Sequence, residues 1–459
     1  MTGSETYGDL GEAAWRWVLD QVRWDDDGPW IPVSVPHEGG PPEDDRDGMH
    51  SGIGGLAHVL AEVRETRPWT EEEQRLAGGI ARRIRGNLAT TTAYSYFDGL
   101  VSDLGVLSAL RVDGSQEAVA RLAALCEEDG WEQPWLESPP FAPHTRISDA
   151  TLGTAGNLLG AVWAHRQGVP GAEALARRAA DILLAEGEPM DAGTDWRFFP
   201  RRFGDDVPPE RRDRQMPNWS HGLAGIAASL AVAGAELGRP DLVEAARSGA
   251  QHLVTLGDTS DGGLVVPHVI PGQADMDEVT YTWCHGPTGT SLLFTALEHA
   301  GVEAVEGESP EQWQRRCLHS IRTSGIPERL RPGFWDNDGR CCGTAGVGEV
   351  FLDAWQRRGL DDDLDDDLAF AGVLGDALVQ RAIIDGDRAC WRFTEHRNDD
   401  PLLPPGVGWM QGTAGIAAYL LRLARVLREG RTTPAVARLD TWWNLPAHQE
   451  RVRARSARP

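Results

Sequence analysis

Residues 220–234 read "SHGLAGIAASLAVAG": a Ser-His pair, a Gly-x-x-Gly turn from Gly222 to Gly225, and a run of small or apolar residues. A surface helix would carry polar residues on one face. This run has almost none, so it predicts a helix buried on every side. Such a helix must be surrounded, and the chain supplies the surroundings by repeating the pattern.

The same form recurs in "HSGIGGLAHVLAEV", "FDGLVSDLGVLSAL", "TLGTAGNLLGAVWAH", "CHGPTGTSLLFTAL", "CCGTAGVGEVFLDAW" and "MQGTAGIAAYLLRLA". The first glycines are Gly52, Gly99, Gly153, Gly222, Gly286, Gly343 and Gly412, and the degenerate second copy has Ser102 at its second glycine position. The steps run from 47 residues (Gly52 to Gly99) to 69 (Gly153 to Gly222). Long-period self-similarity marks an architecture of repeated supersecondary units. Between the copies lie amphipathic segments: Leu175, Ala179 and Ile182 in "EALARRAADILLAEG" share one helical face, with arginines opposite. Thr70 and Glu73 in "WTEEEQRLAGGI" have capping-box spacing. Strand signals are sparse, "GGLVVPHVI" (262–270) being the best.

Seven helical hairpins with buried post-glycine helices can close into an all-α fold, an α/α toroid with one barrel inside another. A superhelical solenoid, the alternative, is usually built of shorter and more regular repeats. In a toroid the glycine turns gather at one end of the inner barrel, where glycine permits close packing and positive φ. One domain is expected over residues 1–445, followed by a basic, disordered tail over 446–459.

Composition removes several function classes. The chain has 459 residues, 41% of them apolar, and no apolar run of a length that spans a bilayer. Its start, "MTGSETYGDLGEAAW", lacks the basic and apolar regions of a secretory signal, so a cytoplasmic location is expected. A formal charge of −26 argues against nucleic acid as a partner. All 44 basic residues are arginine, which excludes a Schiff-base or Walker-type lysine. The acidic run "LDDDLDDDL" (360–368) lacks the glycine spacing of a calcium loop and reads as a solvated helix start. Six scattered cysteines do not make a disulfide scaffold.

The two residues before each first glycine are His50-Ser51, Phe97-Asp98, Thr151-Leu152, Ser220-His221, Cys284-His285, Cys341-Cys342 and Met410-Gln411. Three of the six cysteines therefore fall in this small set. Three thiolates suit a zinc ion that keeps one position open. Unrelated free thiols or a vicinal disulfide is the other reading. Asp149, four residues before Gly153, lies on the third approach.

Turns reading "SHGLAG", "WCHGPTG" and "CCGTAG" in this order resemble the lanthionine synthetase C-like family, and the likeness covers about residues 7 to 445. The resemblance implies a seven-hairpin α/α toroid with one Zn2+ at the barrel top. It makes Cys284, Cys341 and Cys342 the metal ligands, with Cys-Cys-Gly in place of the commoner Cys-His-Gly. It also implies His221 and Asp149 as catalytic residues. Lantibiotic cyclases of the family carry an arginine and a tyrosine where this chain has Thr280 and His285. His285 is a candidate substrate-binding residue, with a second acid or a mere pocket-lining residue as the other readings.

The implied reaction is Michael-type addition of a cysteine thiol to dehydroalanine or dehydrobutyrine in a modified precursor peptide, closing a (methyl)lanthionine ring. His221 would protonate the resulting enolate, and Asp149 would orient it or act as a helix cap. The partners implied are a dehydrated precursor peptide and a separate dehydratase. Addition of a small thiol such as glutathione, and a non-catalytic peptide-binding toroid, are alternatives. A toroid glycoside hydrolase would need two facing carboxylates, for which the ring offers Asp98 and Asp149. The arginine- and aromatic-rich stretch 195–219 reads equally as a substrate grip or a solvated loop.

Overall fold

The computed structural model of the chain describes residues 3–36, 46–133, 144–203, 209–274, 276–328, 337–358, 366–395 and 399–445. The tail at 446–459 and most of the acidic run at 360–368 lie outside the described residues. Among these, the structure is mostly helical, and no helix is long and apolar enough to cross a membrane. Two compact units divide the chain. One comprises Met1–Arg85, Val106–Val112 and Ile326–Pro459, the other Gly86–Gly105 and Asp113–Gly325.

In the second unit the opening stretch forms the helix Leu223–Leu237, and every residue from Leu223 through Gly234 is buried. It packs against two other post-glycine helices, Thr154–Arg166 and Pro287–His299, and against the helix that follows it, Pro240–Leu256. That outer helix buries one stripe only, through Leu242, Ala246, Gly249, Ala250 and Leu253. The helix Ala172–Glu186 likewise buries Leu175, Ala179 and Ile182, as its spacing predicts. A buried leucine contributes about 1.5–3 kcal/mol, so these stripes, more than helix propensity, hold the hairpins together.

In the first unit the helix Thr413–Glu429 packs against Gly55–Thr66 and Thr344–Arg357, the other post-glycine helices there. Its outer partner is Gly3–Asp20, from the opposite end of the sequence. The last copy of the repeat is thus completed by the first helix of the chain. Thr70 and Glu73 form the expected capping box: the Thr70 N–H donates to Glu73 Oε2 (2.7 Å), and the Glu73 N–H to Thr70 Oγ1 (3.2 Å).

The glycine turns are built differently from the expectation of positive φ. Gly222 is extended (φ −165°), as are Gly153, Gly286, Gly343 and Gly412. What the turn requires is space. A Cβ on Gly222 would lie 1.5 Å from Met216 O, and one on Gly225 2.1 Å from Trp219 O. The loop doubles back over the first helical turn, where N–H groups have no intrahelical acceptor. The Leu223 N–H donates to Met216 O (2.8 Å) and the Ala224 N–H to Pro217 O (3.1 Å). A side chain at either glycine would push this cap away.

Successive turns are also joined. In one unit the Tyr96 N–H donates to Thr151 O (2.9 Å) and the Ser220 N–H to Cys284 O (3.0 Å). In the other, the Cys341 N–H donates to Met410 O (2.8 Å) and the Met410 N–H to His50 O (3.1 Å).

Four antiparallel hairpins were not legible: Arg23–Asp25 with Gly28–Trp30, Glu188–Met190 with Gly193–Asp195, Ile383–Asp385 with Arg388–Cys390, and Arg392–Thr394 with Leu402–Pro405. Strands this short give alternation too few positions to register. "GGLVVPHVI" contributes only the bridges Asp258–Val265 and Gln215–Ile270. The usable signal lay in the turns, where Gly28, Gly193 and Gly386 all take positive φ. Behind two of the hairpins an indole ties the strand to the preceding helix, Trp196 Nε1 donating to Leu183 O (2.7 Å) and Trp391 Nε1 to Leu378 O (2.9 Å).

Candidate active site

Asp149 is completely buried at the third glycine turn. Its Oδ1 accepts the Leu152 N–H (2.7 Å), which fixes the turn, and its Oδ2 faces His221 Nδ1 at 2.6 Å. Thr151 Oγ1 stands within reach of Asp149 Oδ2 (3.2 Å), His221 Nδ1 (3.1 Å) and Ser220 O (3.1 Å). The capping role and the partnership with His221 therefore belong to the same carboxylate. One oxygen caps the turn and the other faces His221.

The His221 side chain keeps 30% of its surface exposed. Burial by itself would lower its pKa, but the hydrogen bond and charge of Asp149, and then the charge of Cys284, raise it above the usual histidine value. The imidazolium is thereby favoured. His285 sits beside it, ring centroids 5.4 Å apart, and lies against His268 at 4.1 Å with the rings tilted by 37°. Burial pushes His285 down to about 3; Cys284 opposes this, while His268 and His221 push the same way. Two adjacent imidazoles are driven apart, one toward the charged form and one toward the neutral. Such divergence separates an acid from a neutral hydrogen-bonding group. His268 lies in "VVPHVI", outside every glycine turn, and no sequence signal marked it.

In the same unit, Cys284 is buried with its Sγ 3.2 Å from Thr282 Oγ1. In the other unit the sulfurs of Cys341 and Cys342 are 3.3 Å apart, and none of the three cysteines is in a disulfide. A disulfide needs about 2.05 Å, so the adjacent pair is not bridged.

Over residues 43–428 the chain matches the lanthionine synthetase C-like protein family. The chain belongs to that family. Among solved structures it is similar to nisin cyclase, with a TM-score of 0.54 and 14% identity, covering 83% of this chain and 89% of that one. At that identity the likeness concerns the fold, which is the α/α toroid expected from the sequence. An unsaturated glucuronyl hydrolase from Bacillus sp. GL1 aligns over 94% of this chain and 98% of its own at 13% identity, with a TM-score of 0.43. No curated protein matches the sequence.

In this lanthionine synthetase C-like chain the donor chemistry suits a soft or borderline cation, since thiolates select zinc over hard ions. Three arginines of the stretch 195–219 have other work. Arg197 and Arg201 pair with Glu188 (3.2 and 2.7 Å), and Arg202 pairs with Glu186 (2.5 Å). These ion pairs favour a structural role for those three arginines. From it, Phe198 reaches His221, edge to face, with centroids 5.8 Å apart.

Proposed function

We propose that this protein is a zinc-dependent peptide cyclase that closes (methyl)lanthionine thioether rings in a dehydrated precursor peptide. The observation that carries the reading is the 2.6 Å contact between Asp149 and His221, which keeps a proton donor charged in a lanthionine synthetase C-like chain. Cys284, Cys341 and Cys342 are the proposed zinc ligands. Bound by them, zinc would lower the pKa of the incoming cysteine thiol and hold it as thiolate at neutral pH.

The substrate sulfur then attacks Cβ of the dehydro residue. A C–S bond forms, and the C=C π pair moves onto Cα and the carbonyl oxygen as an enolate. His221, protonated and held through Nδ1, delivers a proton from its other nitrogen to Cα. General acid catalysis of this kind contributes about 10²–10⁴ in rate. The proton released by the substrate thiol balances the one delivered, so the addition needs no redox partner. His285, neutral through burial, offers an N–H to the enolate oxygen. The catalytic chain is read as one domain, residues 1–445, with dehydration supplied by a separate enzyme.

Zinc content of freshly reduced protein, measured by elemental mass spectrometry beside Cys284→Ala and Cys342→Ala, is the first test. About one zinc per chain, lost in both variants, is expected. A chain that binds none would sink the mechanism. A second reading, favoured by Thr280 and His285 at the two family positions that differ, adds a small thiol such as glutathione instead. A mass gain of one glutathione, in place of a lost alkylatable cysteine at constant mass, would identify it.

A further inference from the structure

The stretch 195–203 brings an apolar side chain, not a charged one, to the candidate acid. Phe198 stands edge to face with His221 and with Phe199, the latter at 4.6 Å and 88°. Leu152 joins the same group. Ile147 and Phe199 are its buried members, at 1% and 7% exposure, and Phe198 and Leu152 pack against them while staying partly uncovered. The buried half anchors the cluster, and the uncovered half is an apolar shelf at the rim of the imidazole.

The shelf is tied to the acid pair by the backbone. The Ser148 N–H, one residue before Asp149, donates to Phe198 O (3.1 Å). The Leu152 N–H is itself held by Asp149 Oδ1. The backbones of both shelf residues are thus held to the turn that carries the carboxylate.

We propose that Phe198 and Leu152 form a specificity shelf for the β-methyl group of dehydrobutyrine, so that the protein raises methyllanthionine closure relative to lanthionine closure. The inference rests on the cyclase reading and adds the electrophile whose addition the site assists. Dehydroalanine and dehydrobutyrine differ by one methyl on Cβ, the carbon bonded to the one His221 protonates. With Cα at the imidazole, that methyl lies two bonds further out, on the side of the substrate where Phe198 borders His221 in this reading. Its transfer from water to an apolar surface is favourable. Covering one such group is worth about fourfold in selectivity, by the value of a buried methylene.

The test uses full-length, zinc-loaded protein and two synthetic peptides, each with one cysteine, identical except for dehydroalanine or dehydrobutyrine. The quantity read is the ratio of kcat/KM for the two in direct competition. Phe198→Ala is expected to lower the dehydrobutyrine preference about three- to fivefold, Leu152→Ala to lower it in the same direction, and Phe198→Leu to retain most of it. A loosened fold slows both peptides alike and leaves the ratio unmoved. An unchanged ratio in variants that still cyclise overturns the shelf alone. If wild type cyclises neither peptide, the cyclase reading fails and the shelf with it.

Discussion

Asp149 and His221 meet at 2.6 Å across two successive glycine turns, each residue held by a backbone that its own turn has locked. The contact does two jobs. It fixes which imidazole nitrogen is left for substrate, and it raises the pKa that burial would have lowered.

Asp149→Asn separates these jobs from the fold. The amide can still accept the Leu152 N–H, so the turn should survive. Without the carboxylate charge, burial dominates and the His221 pKa falls. Wild-type activity should persist through neutral pH and decline as pH rises through the raised pKa, where the imidazolium is lost. In the variant that decline moves to lower pH, and the maximal rate drops about 10²-fold or more. A pH–rate profile of thiol addition with an unmoved alkaline limb would contradict the assignment.

The second expectation concerns the turns. A Cβ at Gly346 would sit 1.8 Å from Arg340 O, inside the cap of the helix that follows Cys341 and Cys342. Gly346→Ala should therefore destabilise the protein by about 2–4 kcal/mol, in the range of strain and lost caps. Gly372, inside the helix Asp366–Arg381, has nothing within 4 Å of its built Cβ. Gly372→Ala should stabilise by about 0.5–1 kcal/mol, the propensity gain alone. Denaturant melts of the two variants should move in opposite directions.

The repeat was legible because seven glycine turns each precede a helix buried on all sides, and nothing else asks for that composition. Cys284, Cys341, Cys342, His221 and Asp149 could be singled out because they sit at or just before those turns. His268 and Phe198 could not, since they reach the site from loops whose course is set by tertiary packing. Of the two roles expected of glycine, close packing is found and positive φ is not, for a related reason. Close approach of Met216 O to Gly222 is a contact between backbones, and the residue letters carry only its consequence.

A third measurement addresses the buried charges of the first unit. Glu62, Glu349 and Asp440 pair there with Arg340, Arg425 and Arg438, and His58 stacks on Trp409 at 4.4 Å nearby. Burial lowers the His58 pKa to about 3, and the charges of Arg438 and Arg340 act in the same direction. The folded protein keeps this imidazole neutral while the unfolded chain protonates it below about 6.5. Stability is therefore lost as pH falls from about 6.5 toward 3, at about 1.4 kcal/mol per pH unit from this residue. His58→Phe keeps the stack and removes the titration. Its stability relative to wild type should improve steadily on acidification, and parallel pH profiles would refute the assignment.

The last prediction takes up the adjacent cysteines. Three thiolates around one Zn2+ sum to a charge of −1, and exchanging one for a neutral imidazole brings the sum to zero. A more negative ligand set draws less charge from an incoming sulfur and leaves it more nucleophilic. Cys342 is partly exposed beside the buried Cys341, which makes it the position to exchange. Cys342→His should thus retain about one zinc per chain, because imidazole is itself a good zinc ligand, yet slow thiol addition. Zinc content and single-turnover alkylation kinetics must be read together. Retained metal with a slower rate supports the electronic account, whereas retained metal with an unchanged or faster rate shows that the second cysteine tunes something other than nucleophilicity.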